Sequence, residues 1–249
     1  MKILVFDQEK SLDAHVGEYI CDFIRKHGHA NIGFATGSTP LGVYKYLIES
    51  YQKGKVSFQN IQAFNLDEYV GLKPGHPRSF ASAMKKDLFS HIDIRLESIH
   101  VLDGSQQDMD QECQRYESLI KNNPIDIQIL GIGMDGHIAY NEPGSPLDGM
   151  CHVVDLHQES IESSLDYGFD NIQDVPRQGV TQGIGTIMKA HQLIMMAKGQ
   201  KKAKLVEKMI YGEVTSDFPS SVIQNHDHVL VCLDQGAASQ LKEEDYERY

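Results

Sequence analysis

Runs of consecutive apolar residues alternate along this chain with stretches in which apolar residues recur every three or four positions. Continuous runs mark strands buried on both faces, and the longer spacing marks one-sided helices. "KILVF" at 2–6 is the first strand. The next segment puts Leu12, Val16, Tyr19, Ile20, Phe23 and Ile24 on one helical face, with Ser11 expected as its N-cap. "NIGFAT" at 31–36 is strand again, and Thr39-Pro40 opens a helix expected to turn Leu41, Tyr44, Leu47 and Ile48 inward. "IQAFNL" at 61–66 forms a third strand ending at Asp67-Glu68, followed by a helix near 79–90 and a short strand at "SIHVLD", 98–103. A helix near 108–121 leads to the apolar run "DIQILGI" at 126–132. Then come "HVVDL" at 152–156, "QLIMMAK" at 192–198, a helix near 200–211 and "HVLVCLD" at 228–234. The alternation predicts an α/β fold, a mostly parallel sheet covered by helices on both faces. Ligands of such sheets bind beyond the carboxyl ends of the strands. Three polar stretches fall there: 36–40, 67–69 and 135–142.

The chain has 249 residues and neither a linker nor a shift of composition, so it reads as a single domain over 1–249. A net charge of −12 argues against a general nucleic-acid or anionic-membrane binder, which needs a basic face. A small anionic ligand stays open, because local groups decide that. Cys21, Cys113, Cys151 and Cys232 are scattered with no CxxC pair and are expected to be reduced and mostly buried. The opening "MKILVFDQEK" is too short an apolar run for a signal peptide, and nothing approaches a membrane span. A cytoplasmic protein is the expectation.

The stretch "LGIGMDGHIAYNEPG" at 130–144 places Asp135, His137 and Glu142 directly after a buried strand. His137 can take and return a proton near neutral pH, and either carboxylate can fix its tautomer. The plainer reading is a polar loop that satisfies its own backbone. No GxSxG context accompanies the cluster, which argues against covalent hydrolase chemistry. The three residues could ligate a metal, but their spacing matches no zinc signature, so a metal-free site is expected. "NHDH" at 225–228 reads as a polar turn before a strand. Asp67, at another strand end, suits a general base if shielded from water; alone it would more often be a loop cap. Thr36, Gly37, Ser38 and Thr39 join a strand to a helix start, a natural phosphate cradle, although Thr39 as a simple N-cap explains the turn equally well. "GQKKAK" at 199–204 sets Lys201, Lys202 and Lys204 near a helix start, where cations oppose the dipole. A bound anion would remove that conflict, as would simple exposure to water.

Together "ATGSTP", "FNLDEYVGL", "GIGMDGHIAYNEPGSPL" and "VTQGIGTIM" resemble the glucosamine-6-phosphate deaminase family, which includes galactosamine-6-phosphate isomerase relatives. The similarity runs in order from about residue 2 to about 235. The resemblance implies a Rossmann-like fold and an aldose–ketose isomerisation with loss of ammonia, with no cofactor. It implies that His137, held by Asp135 and Glu142, opens the sugar ring and that Asp67 moves the proton from C2 to C1. It implies a phosphate site at Thr36, Gly37, Ser38 and Thr39 with Lys202. The partner is then a small sugar phosphate, with a homo-oligomer possible and no nucleic acid or membrane involved. Two departures stand out. The family's phosphate-binding arginine falls at Asp166, with Arg177 the nearest substitute in sequence, and galactosamine-type relatives lack that arginine as well. The basic residues of the allosteric pocket in hexameric relatives fall at His152 and Val154, so that regulation is expected to be absent. The competing readings are a 6-phosphogluconolactonase, which has no use for an Asp67-type shuttle, and a sugar-phosphate sensor without turnover.

Overall fold

The computed structural model describes residues 1–73 and 75–249, with the side chains of residues 166 and 167 outside the description. In chain order the elements are β1 (Lys2–Phe6), α1 (Glu9–His27), β2 (Ala30–Phe34), α2 (Leu41–Gln52), β3 (Ile61–Asn65), β4 (Asp67–Tyr69), α3 (Phe80–Asp87), β5 (Ile99–His100) and α4 (Met109–Asn122). They continue with β6 (Ile127–Leu130), β7 (His152–Asp155), α5 (Gln158–Ser163), β8 (Gln178–Thr181), α6 (Ile184–Ile187), β9 (Gln192–Ala197), α7 (Ala203–Tyr211), β10 (Val229–Asp234) and β11 (Glu247–Arg248).

Eight strands form one sheet in the order β11-β1-β10-β9-β6-β2-β3-β5, and every pairing in it is parallel. Its central strands β6 and β10 are buried at every position, as their unbroken apolar runs require. Connections leaving β1 and β2 run one way along the sheet, and those leaving β5, β6 and β9 run the other way. Right-handed crossovers therefore put α1 and α2 on one face and α4 and α7 on the opposite face. The direction reverses between β2 and β6, and the carboxyl ends of these two strands flank the crevice where such sheets bind ligands.

A second, three-stranded antiparallel sheet, β4-β8-β7, was not anticipated by the apolar pattern. The chain leaves β3 at Asn65, crosses through Leu66 alone, and starts β4 at Asp67. Asp67 therefore does not end the third strand; it opens a new one and pairs with Thr181. The small sheet has its own core of Tyr69, Phe80, Tyr140, Leu156, Ile161, Phe169 and Val175.

Local details differ from expectation for identifiable reasons. Ser11 is no N-cap: α1 starts at Glu9, Gln8 is the extended capping residue, and the Ser11 N–H bonds the Gln8 carbonyl at 3.0 Å inside the first turn. On α2, Val43, Tyr44, Leu47 and Ser50 face the core, while Leu41 is 43% exposed and Ile48 half-buried. Pro40 is the N-cap of α2, and neither it nor Thr39 caps the helix through a side chain. The helix expected near 79–90 stops at Asp87, and a separate 3-10 turn covers Phe89–His91. Cys21, Cys113 and Cys232 are buried, Cys151 is half-buried, and all four are free thiols. The segment 225–228 is a polar turn before β10, with a His226 ring nitrogen 2.8 Å from the Ala190 carbonyl oxygen.

Candidate active site

The loop after β6 is built to fold His137 and Glu142 toward each other. Ile138 and Asn141 pair across a two-residue turn, and Asn141 donates from both its backbone N–H and its side-chain amide to the Ile138 carbonyl, at 3.1 and 2.9 Å. Ala139, inside that turn, has φ +52°, the only positive φ among the described residues other than glycine. Backbone strain of this kind persists where the surroundings over-determine it, commonly at functional loops. Gly133 is held to glycine by close approach: a Cβ there would lie 2.3 Å from both Cε1 and Nε2 of His137. The imidazole lies directly over the backbone of its own loop.

The histidine and its two acids form one charged cluster. His137 Nδ1 is 2.7 Å from Asp135 Oδ1 and 3.5 Å from Glu142 Oε2. Asp135 Oδ1 also accepts the His137 backbone N–H at 3.1 Å, which fixes the carboxylate beside the ring. Burial alone would strip the ring of its proton, yet Asp135 and Glu142 outweigh burial and raise the His137 pKa to about 9. For Asp135 burial again works in the costly direction, and the contacts with His137 win, holding its carboxyl well below the usual range. The ring is thus an imidazolium at neutral pH, with Nδ1 committed to the acids and Nε2 available to a substrate.

The ligating atoms of Asp135, His137 and Glu142 lie within 4.8 Å of one another, so a metal is worth testing against the geometry. Two ligands of one tetrahedral zinc at about 2.1 Å stand roughly 3.4 Å apart. The 2.7 Å between Nδ1 and Oδ1 is shorter and fits a direct charge-assisted contact.

Asp67 and Glu68 are neighbours with different duties. Glu68 accepts three backbone N–H groups, from Tyr69 at 2.9 Å and from Phe80 and Ala81 at 3.0 Å, and so caps the start of α3. Asp67 is 7% exposed, and among the described residues no hydrogen bond stabilises its charged form. Burial and the Glu68 charge push its pKa up to about 7, with His137 pulling the other way. A carboxylate poised near 7 is suited to take and return a proton.

The expected phosphate groups follow strands that end on the same edge of the sheet. Thr36, Gly37 and Thr39 are half-buried and Ser38 is exposed in the turn after β2. Pro40 does not cap the α2 that follows through its side chain, and the Leu41 N–H donates to the Ser38 carbonyl at 3.4 Å, so the start of the helix faces the 36–39 turn with its positive end. Of the three lysines, Lys201 and Lys204 point into water, whereas Lys202 is turned inward, with Nζ donating to the Ile132 carbonyl at 2.7 Å. Burial lowers the Lys202 pKa, opposed by the charges of Asp135 and Glu159. The Asp166 side chain lies outside the described residues. Arg177 is exposed just before β8, roughly 13 Å along an extended strand from Thr181, the partner of Asp67. That position gives it no place in the cluster. The structure also brings in His157, which the sequence did not single out. Its N–H donates to Glu142 Oε1 at 3.1 Å, and its Nδ1 is 3.7 Å from Glu142 Oε2.

Comparison with known proteins identifies the family. The model of the glucosamine-6-phosphate isomerase/6-phosphogluconolactonase family matches residues 7–232. The chain is 39% identical to a glucosamine-6-phosphate deaminase of Thermoanaerobacter sp. (strain X514), over 98% of this chain and 97% of that one. A solved monomeric glucosamine-6-phosphate deaminase is 37% identical and superposes with a TM-score of 0.93, covering 96% of this chain and 100% of its own. The 6-phosphogluconolactonase of Trypanosoma brucei shares the fold, with a TM-score of 0.74 over 97% of this chain and 98% of its own, at 19% identity. A parallel sheet with its polar cluster at the β2/β6 reversal, matched along nearly its whole length, places the chain in the glucosamine-6-phosphate isomerase/6-phosphogluconolactonase family.

Proposed function

We propose that this protein converts a hexosamine 6-phosphate into a ketose 6-phosphate and ammonia. The observation that carries the reading is the pairing of two separate proton-transfer devices beyond the carboxyl ends of strands on either side of β2: the His137 imidazolium after β6, and Asp67, raised to about 7, after β3. Because His137 starts protonated, it acts first as an acid. Nε2 gives its proton to the ring oxygen as the C1–O5 bond breaks, then takes the proton of the C1 hydroxyl, leaving an open-chain aldehyde. Asp67 removes the C2 proton as His137 gives its proton to the C1 oxygen, leaving an enolamine, and Asp67 then returns its proton to C1, leaving a C2 iminium. Water adds to the iminium, ammonia leaves, the ketone forms, and the proton released returns to His137. No cofactor enters these steps. The turn 36–39 and Lys202 hold the phosphate.

The site works in a reducing, cytoplasmic setting, to which four free thiols are suited. Among the described residues no helix is long and apolar enough to cross a membrane. Lactone hydrolysis, the activity named for the more distant structural neighbours, needs no second carboxylate held near 7. The test measures ammonia release from glucosamine 6-phosphate and galactosamine 6-phosphate beside hydrolysis of 6-phosphogluconolactone. Ammonia from either sugar supports the proposal, and lactone hydrolysis without ammonia overturns it.

A further inference from the structure

Lys198 Nζ meets Asp13 Oδ1 at 2.6 Å, with each side chain 13% exposed. The partners stand 185 residues apart, one on α1 and the other just beyond β9, and neither belongs to the proton-transfer groups. A charge pair this shielded recovers its desolvation cost only with excellent geometry, and apolar replacements are often as stable. Stability is therefore a weak explanation for it.

Its location suggests a better one. Lys198 directly precedes Gly199 and the 3-10 turn Gln200–Lys202, so it anchors the turn that presents Lys202. Asp13 reaches from α1 to the first turn of α2. A Cβ on Gly42 would lie 1.8 Å from Asp13 Oδ2 and 2.3 Å from its Cγ. The missing side chain at Gly42 is what lets the carboxylate rest against the helix whose N-terminus follows residues 36–39. The same end of the Lys202 turn is tied down a second time, because Gly199 N–H donates to Asp234 Oδ2 at 2.8 Å.

We propose that the Asp13–Lys198 pair positions the phosphate site, locking the Lys202 turn against the start of α2 so that both meet one phosphate dianion. The inference rests on the hexosamine 6-phosphate reading above. The pairing also settles an electrostatic conflict. A bare carboxylate beside the first turn of α2 would compete with phosphate for the positive end of the helix. Lys198 cancels that charge, so Asp13 can hold the geometry without repelling the ligand.

The test compares Asp13→Asn and Gly42→Ala with the wild type, reading KM and kcat for hexosamine 6-phosphate, Kd for inorganic phosphate, and Tm. Gly42→Ala changes no charge and displaces the Asp13 carboxylate, so it decides the matter if Asp13→Asn fails to fold. In each variant KM and the phosphate Kd should rise about tenfold, while kcat moves by no more than about twofold. Combining Asp13→Asn with Lys198→Met should be no worse than the worse single change, since the pair acts as a unit. Unchanged KM and phosphate Kd in folded variants overturn the proposal. So does a fall in Tm with no change in KM, which marks a purely structural pair. If the wild type binds inorganic phosphate but turns over neither sugar, the catalytic reading fails and the phosphate measurements still decide the role of the pair.

Discussion

Replacing Asp67 with asparagine should make the protein both inactive and more stable, and the two effects share one cause. This carboxyl group, whose ordinary pKa is 3.8, keeps its proton up to about 7 in the fold because burial and Glu68 oppose its charge. Below about pH 4 it is neutral in folded and unfolded chains alike and costs nothing. Between about 4 and 7 the folded protein retains a proton that the unfolded chain has lost, so this group's contribution to stability falls as pH rises. Above about 7 the loss is complete and amounts to at most about 4 kcal/mol, at about 1.4 kcal/mol per pH unit. Asparagine keeps the shape without the charge. If half that bound is recovered at pH 8, the melting midpoint rises by about 4–8 °C, and at pH 4 the gain disappears. Turnover should fall by roughly 10²–10⁴-fold with little change in substrate affinity, because only the proton transfer is lost. Thermal melts from pH 4 to pH 8, with ammonia release measured on the same preparations, read both effects. A variant that melts lower at pH 8, or retains near-normal turnover, refutes the argument. So does a wild-type kcat/KM whose acid limb is centred near pH 4 instead of near 7.

Further outcomes follow from the rest of the site. His137→Gln should slow turnover of the ring-closed sugar far more than that of an analogue fixed in the open-chain form; equal slowing removes His137 from ring opening. Lys202→Ala should raise KM about ten- to a hundredfold, the worth of a charge-assisted contact to phosphate, and Asp166→Ala should leave activity intact or lower KM. The reverse pattern would place the phosphate elsewhere. Glu68→Gln should lower stability by about 1–3 kcal/mol, seen as a lower urea midpoint, because an amide cannot accept all three N–H groups now bonded to the carboxylate. Activity should survive prolonged chelation, since Asp135 and His137 contact each other directly; loss with chelator and recovery with zinc would contradict that geometry.

The strand ends that carry the site were legible because buried parallel strands leave continuous apolar runs. Polar residues following such runs, Asp67, Asp135 and His137, could be picked out by position, whereas Lys202 was told apart from Lys201 and Lys204 only by the resemblance to the family. What escaped depends on contacts that no local pattern encodes. The jump from β3 to β4 occupies one residue, Leu66, and its outcome is set by pairing with β8 more than a hundred residues later. Glu68 caps a helix that begins twelve residues further on, beyond the reach of any capping-box spacing. His157 approaches Glu142 only because β7 and the small sheet deliver it there. The lysine conflict at 199–204 proved half real: two lysines relieve it in water, and only Lys202 turns inward.

The placement of β1 has a consequence for how the protein is made. Among the described residues its only sheet neighbours are β10 and β11, so Lys2–Phe6 cannot pair until Leu230–Asp234 has been synthesised. At about 5–20 residues per second, the first apolar strand waits roughly 10–45 s without its partner. During that time four buried-type residues, Ile3, Leu4, Val5 and Phe6, stand open to other chains. Ribosome-bound intermediates of this protein should therefore be clients of chaperones that hold exposed apolar segments, and overexpression in cells short of such chaperones should yield aggregates seeded by residues 2–6.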